Sequence, residues 1–325
     1  MSTIIFIDGG IGRVLCSIPA LLKYHRLNPN KEWYVIVAGW EYLFWGIPEL
    51  QNRSFHSETK GIFENYWLNA EEVISPEPYR VPEYYKNQIS MAESFDFEIN
   101  KTTDHSDLPN LDFFCSSAEV DIAYSVLKTA KENQGKDKTI VIQPYGSTAN
   151  KRDYGIVDFS NRSIPEDFYE YLVDSLMEDY NVIYMGDSSL HDGKTFIPNP
   201  DVGIREWATI IQYCDYFIGC DSCGQHMAKA VNQKASVFIA GTHETNVSYP
   251  KDFHIIKKDL PFYPDTMRIS GFSSNLSSRL NEQRVEFSEE EMYKHYKQII
   301  LQIESHSTFD FEENKIDKNE YLIHN

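Results

Sequence analysis

The chain has 325 residues, a formal net charge of −19, 42% apolar residues and 14% aromatic ones. A single core stops growing near ~250–300 residues, so two domains are expected, and the apolar content excludes wholesale disorder. The charge opposes binding to nucleic-acid backbones unless a local basic patch overrides it, and no apolar run reaches the roughly 20 residues of a membrane span.

In chain order, TIIFID (residues 3–8) reads as a buried strand, not as the apolar core of a signal peptide, which points to a cytoplasmic protein. GGIG follows at once. RVLCSIPALLKYHRL (13–27) then carries apolar residues at helical spacing, with Pro19 inside, and WYVIVAG (33–39) is the next strand. Together they make a βαβ unit, which implies a parallel sheet with a right-handed crossover. Between residues 40 and 110 aromatics and prolines predict short elements and loops with no assignable strand. The polar stretch 129–138 reads as a linker.

A second alternation then begins. Strands are expected at 139–144, 181–186, 215–220 and 235–241, with helices at 164–180, 204–214 and 224–231. This pattern is that of an open parallel α/β domain. SEEEMYKHYKQIILQI (288–303) is a last helix with a serine cap and acids in its first turn. The expected organisation is a first α/β domain over 1–135, a second over 136–286, and a helix with an acidic tail over 287–325. Ligands in such sheets sit outside the carboxyl ends of the strands, so two facing domains make a cleft.

Four stretches carry chemistry. In IDGGIGR, Gly9, Gly10 and Gly12 let a backbone approach a ligand at a helix N-terminus, and Arg13 adds a planar cation. The spacing is not the G-x-G-x-x-G of dinucleotide binders, and no acid follows at the right distance. QPYGSTANKRDYG (143–155) ends its polar run on Lys151 and Arg152, suited to a diphosphate or simply solvated. DSCGQHMAKA offers Asp221, Ser222, Cys223, Gly224, Gln225 and His226 at a strand-to-helix turn. AGTHET adds Gly241, Thr242 and His243 from the next one. Five cysteines, an odd number without framework spacing, read as reduced thiols, and the C-x-x-C of Cys220 and Cys223 has no second pair to make a zinc site.

DGGIGRVLCSIPALLKYHR, IVIQPYGSTANKR, VIYMGD and FIGCDSCGQHMAKAVNQKASVFIAGT, in that order, resemble the heptosyltransferase-like family 9 glycosyltransferases, over most of residues 3–45 and 139–250. PEPYRVPEYYKNQ resembles only the looser, phage-type members. The resemblance implies a GT-B fold: two Rossmann-like domains with parallel sheets facing across a cleft. It implies transfer of a sugar from a nucleoside diphosphate sugar to an acceptor hydroxyl (glycan, lipid-linked sugar or modified nucleobase), inverting, with neither metal nor other cofactor. Asp221, Ser222 and Gly224 to His226 then match the segment holding the donor's diphosphate, with Cys223 where the family has glycine. Lys151, beside Arg152, matches a phosphate-contacting lysine. Gly186 and Asp187 fall at the donor's nucleoside, and Gly241 and Thr242 at the next donor-side turn.

The general base departs from the family pattern. The family's aspartate at the start of the first helix is Arg13 here, and an arginine is no base at neutral pH. Asp8 is the nearest substitute, as a base or as a cap of the glycine turn, with Arg13 free for a donor phosphate or an acidic acceptor. A catalytically inactive nucleotide- or sugar-binding relative and a phage-type DNA-base glycosyltransferase are the alternatives. Acceptor specificity is expected in the aromatic stretch 40–90.

Overall fold

The computed structural model describes residues 2–158, 160–198, 202–258 and 285–305. β1 (Ser2–Ile7), α1 (Ile11–Leu27) and β2 (Glu32–Val37) form the expected βαβ unit, in parallel register from Ser2 opposite Glu32 to Ile7 opposite Val37. α1 runs through Pro19 and buries residues around most of its circumference. The stretch that gave no strands from sequence holds two: β3 (Ser54–His56) and β4 (Ala70–Ile74), making a four-stranded parallel sheet of order β3-β2-β1-β4. Between and after them lie α2 (Pro48–Gln51), α3 (Pro82–Tyr85) and α4 (Met91–Asn100).

α4 starts at a capping box, Ser90 with Glu93, and packs along α1. Lys23 of α1 joins them: its ammonium lies 3.0 Å from Asp96, which is fully buried, and 2.6 Å from Asp107. α5 (Ser117–Gln134) also opens on a capping box, Ser116 with Glu119, and ends at Gly135 with φ 72°. Residues 129–134, expected in a linker, are therefore its last turns. Only Ala123, Leu127 and Ala130 of this helix are buried, which is why its end reads as linker.

The second sheet follows in chain order: β5 (Lys138–Gln143), a hairpin of β6 (Asn150–Arg152) and β7 (Gly155–Val157), α6 (Glu166–Leu176), β8 (Tyr180–Tyr184), α7 (Ile204–Tyr213), β9 (Tyr216–Cys220), α8 (Cys223–Ala230), β10 (Ala235–Ile239), α9 (Glu244–Val247), β11 (His254–Lys257) and α10 (Glu289–Ser305). The strand order is β8-β5-β9-β10-β11, all parallel. The expected strands match to within two residues, since strands buried on both faces read as continuous apolar runs. The chain leaves β5 to one side for β8 and returns to the other side for β9. The topological switch therefore lies between the ends of β5 and β9, where open sheets bind ligands.

α5 packs on α7 and against β8 and β5, so it covers the second sheet. One face of that sheet packs with α6 and α10 around Ile140, Phe168, Tyr216 and Phe238. The opposite face (Val141, Ile183, Phe217, Val237) shares one apolar core with α7, α8, α1 and the first sheet. The two lobes meet along their carboxyl edges at three points. The loop after β2 meets α7, α1 meets α8, and the segment after β4 meets α9. No described helix is long and apolar enough to cross a membrane. Of the acidic tail, residues 306–325 lie outside the described residues.

Candidate functional site

At the switch point the chain turns from β9 into α8 in two residues. Gln143, at the end of β5, braces that turn: its carbonyl oxygen accepts from the Gly224 amide at 2.9 Å, and its amide nitrogen lies 3.4 Å from Ser222 Oγ and 3.5 Å from Cys223 Sγ. A Cβ on Gly224 would strike Gln143 and Phe217, so this position needs glycine. Asp221 is buried and looks inward. It accepts from Thr242 Oγ1 at 2.8 Å and from Gln225 Nε2 at 3.3 Å, and so ties β9, α8 and the turn after β10 together. Cys220 and Cys223 are free thiols, as are the other three.

α1 and α8 share a feature that sets them apart. Among the described helices of eight residues or more, these two have neither a cap from their own N-cap side chain nor an acid in the first turn. Gln143 takes the Gly224 amide and the Gly10 carbonyl takes the Arg13 amide, and the remaining first-turn N–H groups and the positive ends face solvent or a ligand. They also touch: a Cβ on Gly12 would lie 2.6 Å from Cδ2 and 3.1 Å from Nε2 of His226. Gly12 is thus required for the lobes to approach.

His226 is buried at this contact, and burial pushes its imidazole down to about 4, with Asp221 opposing. Its Nδ1 lies 2.8 Å from the hydroxyl of Tyr249 and 3.4 Å from Cys16 Sγ. Burial raises both of those groups, Cys16 to about 12, so each keeps its proton at neutral pH. A phenol donating to Nδ1 leaves the ring's own proton on Nε2, on the edge turned to Gly12.

In the first lobe Gly9 has φ 99°, and a Cβ there would meet Arg13 Cδ at 2.7 Å. Arg13 folds back over the glycine turn. Its guanidinium lies 2.9 Å from Asp8 and 3.0 Å from Glu77, donates to the Pro76 carbonyl at 3.0 Å, and stacks on Tyr79 and Phe95. Arg13 is thus engaged within its own lobe, while the Asp8 side chain stays 57% exposed at the cleft edge. Gly10, the exposed N-cap of α1, has open space around its Cα.

The remaining expected residues divide. Gly241 packs under the loop that precedes α6: a Cβ would strike the Ser160 carbonyl, and its amide donates to Asn161 O at 2.9 Å. Within that loop Asp158 accepts from Ser160, Ser163 and Thr148. Burial opposes its charge, but these bonds outweigh burial and hold the carboxyl below its usual range. The same loop carries Arg162, which the sequence reading did not single out. Its carbonyl accepts from the Asp221 amide at 3.3 Å, and among the described residues its guanidinium hydrogen-bonds only to Ser160 Oγ (3.2 Å) and Thr148 Oγ1 (3.5 Å). No described carboxylate pairs with it. Arg162 is therefore a half-buried cation whose backbone adjoins the Ser222 turn.

Lys151 and Arg152 sit on the exposed β6–β7 hairpin. Lys151 lines a recess of about 180 Å³ with Tyr145, Tyr169, Leu190 and His191. No described contact brings either cation to Ser222. A larger recess, about 340 Å³, lies on the far side of the Asp158 loop against Val285 and Phe287. Gly186 and Asp187 are exposed after β8, and Asp187 caps a short turn, where bonds from the Ser189 amide and hydroxyl hold its carboxyl low. His243 caps α9.

No protein-family model and no curated protein matches the chain. Solved structures do. A family 9 glycosyltransferase from Veillonella parvula superposes with a TM-score of 0.62 at 10% identity, over 92% of this chain and 97% of that one. The ADP-heptose lipopolysaccharide heptosyltransferase II of E. coli gives 0.57 at 13%, over 87% and 98%. The iron-containing dodecameric glycosyltransferase TibC of enterotoxigenic E. coli gives 0.60 at 10%, over 94% and 78%. The chain has the two-lobed GT-B fold of these proteins.

Proposed function

We propose that this chain is a glycosyltransferase that moves a sugar from a nucleoside diphosphate sugar to an acceptor hydroxyl. One observation carries the reading: α1 and α8, which open with neither an N-cap side chain nor an acid, meet at the facing carboxyl edges, where α8 begins at the topological switch. Uncapped helix starts favour a diphosphate. The fold neighbours' names agree, and one specifies ADP-heptose, so an ADP-linked sugar is the first donor to test.

The donor's diphosphate would lie against the Ser222–His226 turn, with His226 Nε2–H and Arg162 as donors. The acceptor oxygen attacks the anomeric carbon from the opposite face. Its proton passes to Asp8, the bond from that carbon to the diphosphate oxygen breaks, and the diphosphate leaves with the electron pair. Charge growing on that oxygen is met by amide dipoles and Arg162, which is the form of stabilisation that contributes most in such sites. Configuration inverts because attack and departure are on opposite faces. In this scheme the chain's own cations and amides do the work assigned elsewhere to a metal.

The test is thermal shift with ADP, UDP, GDP, CDP and TDP, then with the sugar-linked form of any that binds. Stabilisation by at least one nucleoside diphosphate is expected, and none by any would overturn the reading. A second reading, a binding-only relative, is favoured by the Arg13 clamp on Asp8, since that ion pair occupies the carboxylate that would have to take the acceptor's proton. Turnover of the donor that falls by roughly a hundredfold or more in Asp8→Asn supports the enzyme. Donor binding with no turnover in the wild type supports the second reading.

A further inference from the structure

The loop after β2 holds an unusual backbone. Trp40, a bulky residue, adopts the left-handed region (φ 70°, ψ 23°), which only glycine and a few small polar residues enter readily. Such strain persists where surrounding structure forces it and clusters at ligand sites. The forcing structure is visible. Leu43 and Phe44 are buried beneath the loop, and Arg205 of α7 reaches across from the other lobe to donate to the carbonyls of Tyr42, Trp45 and Phe114. Glu119 holds that guanidinium, and Phe113 stacks beneath it at 4.4 Å.

This scaffold holds a run of rings, Trp40 and Tyr42 half-buried against the core and Trp45 exposed. Trp40 meets Tyr42 edge-on at 6.0 Å, and Tyr42 meets Trp45 edge-on at 6.2 Å. Trp45 is 55% exposed, and Phe114, against Gly46, is 49% exposed. The position is at the carboxyl edge of the first sheet. Ala38 donates to Ile7 O at 2.9 Å, so the strand end bearing Asp8 and the one leading to Trp40 are direct neighbours. Adjacent strands lie about 4.8 Å apart, close to the width of one sugar ring.

Glu119 neutralises Arg205 under the loop, and the remaining charge near the rings is acidic. Residues 38–47 contain Glu41 and no lysine or arginine, and Glu206 adds its field, so that burial and these two acids raise the Tyr42 phenol. Such a surface disfavours phosphate and favours neutral hydroxyls, which carboxylates can accept from. The ring faces suit the apolar C–H face of a pyranose.

Resting on the glycosyltransferase reading, we infer that the Trp40–Tyr42–Trp45 platform docks the acceptor, and that the acceptor is a neutral sugar whose ring stacks there and offers its hydroxyl toward Asp8. A phosphorylated glycan or a nucleobase in DNA is the wrong chemistry for this face.

The experiment puts the labelled full chain on an array of neutral oligosaccharides, phosphorylated oligosaccharides and hydroxymethylcytosine oligonucleotides, alongside Trp45→Phe and Trp45→Ala. Hits are measured by tryptophan emission. Retention of one or more neutral sugars by the wild type and Trp45→Phe, with affinity lost roughly tenfold in Trp45→Ala, supports the inference. Retention of no neutral sugar, indifference to Trp45→Ala, or preference for the phosphorylated or nucleotide probes overturns it. The nucleoside diphosphate thermal shift is repeated on Trp45→Ala and should equal the wild type's. If that shift is absent in both, the donor reading has failed and the platform is judged on the array alone.

Discussion

His226 is a neutral imidazole between two helices, and its protonation is coupled to the contact between the lobes. In the unfolded chain it takes its proton near the ordinary 6.5, in the folded chain only near 4. Between those values the unfolded state binds more protons, so stability is fully present above about 6.5 and is lost as pH falls toward 4. The shift corresponds to about 3 kcal/mol at most. His254 and His295, also lowered by burial, titrate in the same direction. Thermal unfolding measured from pH 7.5 to 4.5 should therefore fall more steeply in the wild type than in His226→Gln. Arg162 yields a second expectation. Arg162→Ala should weaken nucleoside diphosphate binding ten- to hundredfold, the loss of about 1.5–3 kcal/mol from a charged hydrogen bond, while Lys151→Ala changes it less than about twofold. Calorimetric titration of both variants checks this. At this scale the sequence was only partly legible. The Asp221–His226 turn stood out because small polar residues between a strand and a helix have a local signature. Arg162 did not, because its place depends on Asp158 gathering Thr148, Ser160 and Ser163 into a compact loop. Tyr249 did not either, since it reaches Cys16 across a separation of 233 residues.

α1 and α4 are joined by a buried ion pair whose removal tests how the first lobe is built. Lys23→Met leaves Asp96 without its ammonium in a fully buried place, which should cost about 3–5 kcal/mol, and Lys23→Met with Asp96→Leu should restore much of it. Denaturant unfolding of the two variants decides the matter. His105, 2.7 Å from Asp96, keeps the carboxylate partly satisfied in the single variant, so the lower figure is expected. The elements themselves were legible in proportion to their burial. β8, β9 and β10 are buried along their whole lengths and β5 at all but Lys138, and they were placed closely. β3 has three half-buried residues, and β4 reads AEEVI with acids facing outward, so neither carries a strand's apolar signature. α5 shows its capping box plainly in SSAE (116–119), but its polar second half hides the helix.

The core is continuous from the first sheet through α1 and α8 to the second, and Arg205 and Asn246 fasten its rim. Asn246 donates to the Tyr84 and Ile89 carbonyls at 2.7 and 2.9 Å. A shared interior of this kind predicts one cooperative transition, with calorimetric and van't Hoff enthalpies that agree, instead of one step per lobe. Scanning calorimetry that resolved two steps would contradict it. The two-lobed plan was legible from the alternation of strands and helices, but the shared interior was not, since it depends on Gly12 and on helix faces whose partners lie two hundred residues away. Because α5 lies upon the second sheet, the seam between the modules precedes Ser116. An exchange of donor halves between proteins of this shape would have to splice upstream of Phe114, whose carbonyl Arg205 grips, and meet carbonyls like those of Tyr42 and Trp45 in the recipient lobe. A splice at residue 135 would instead leave the transplanted half with one flank bare.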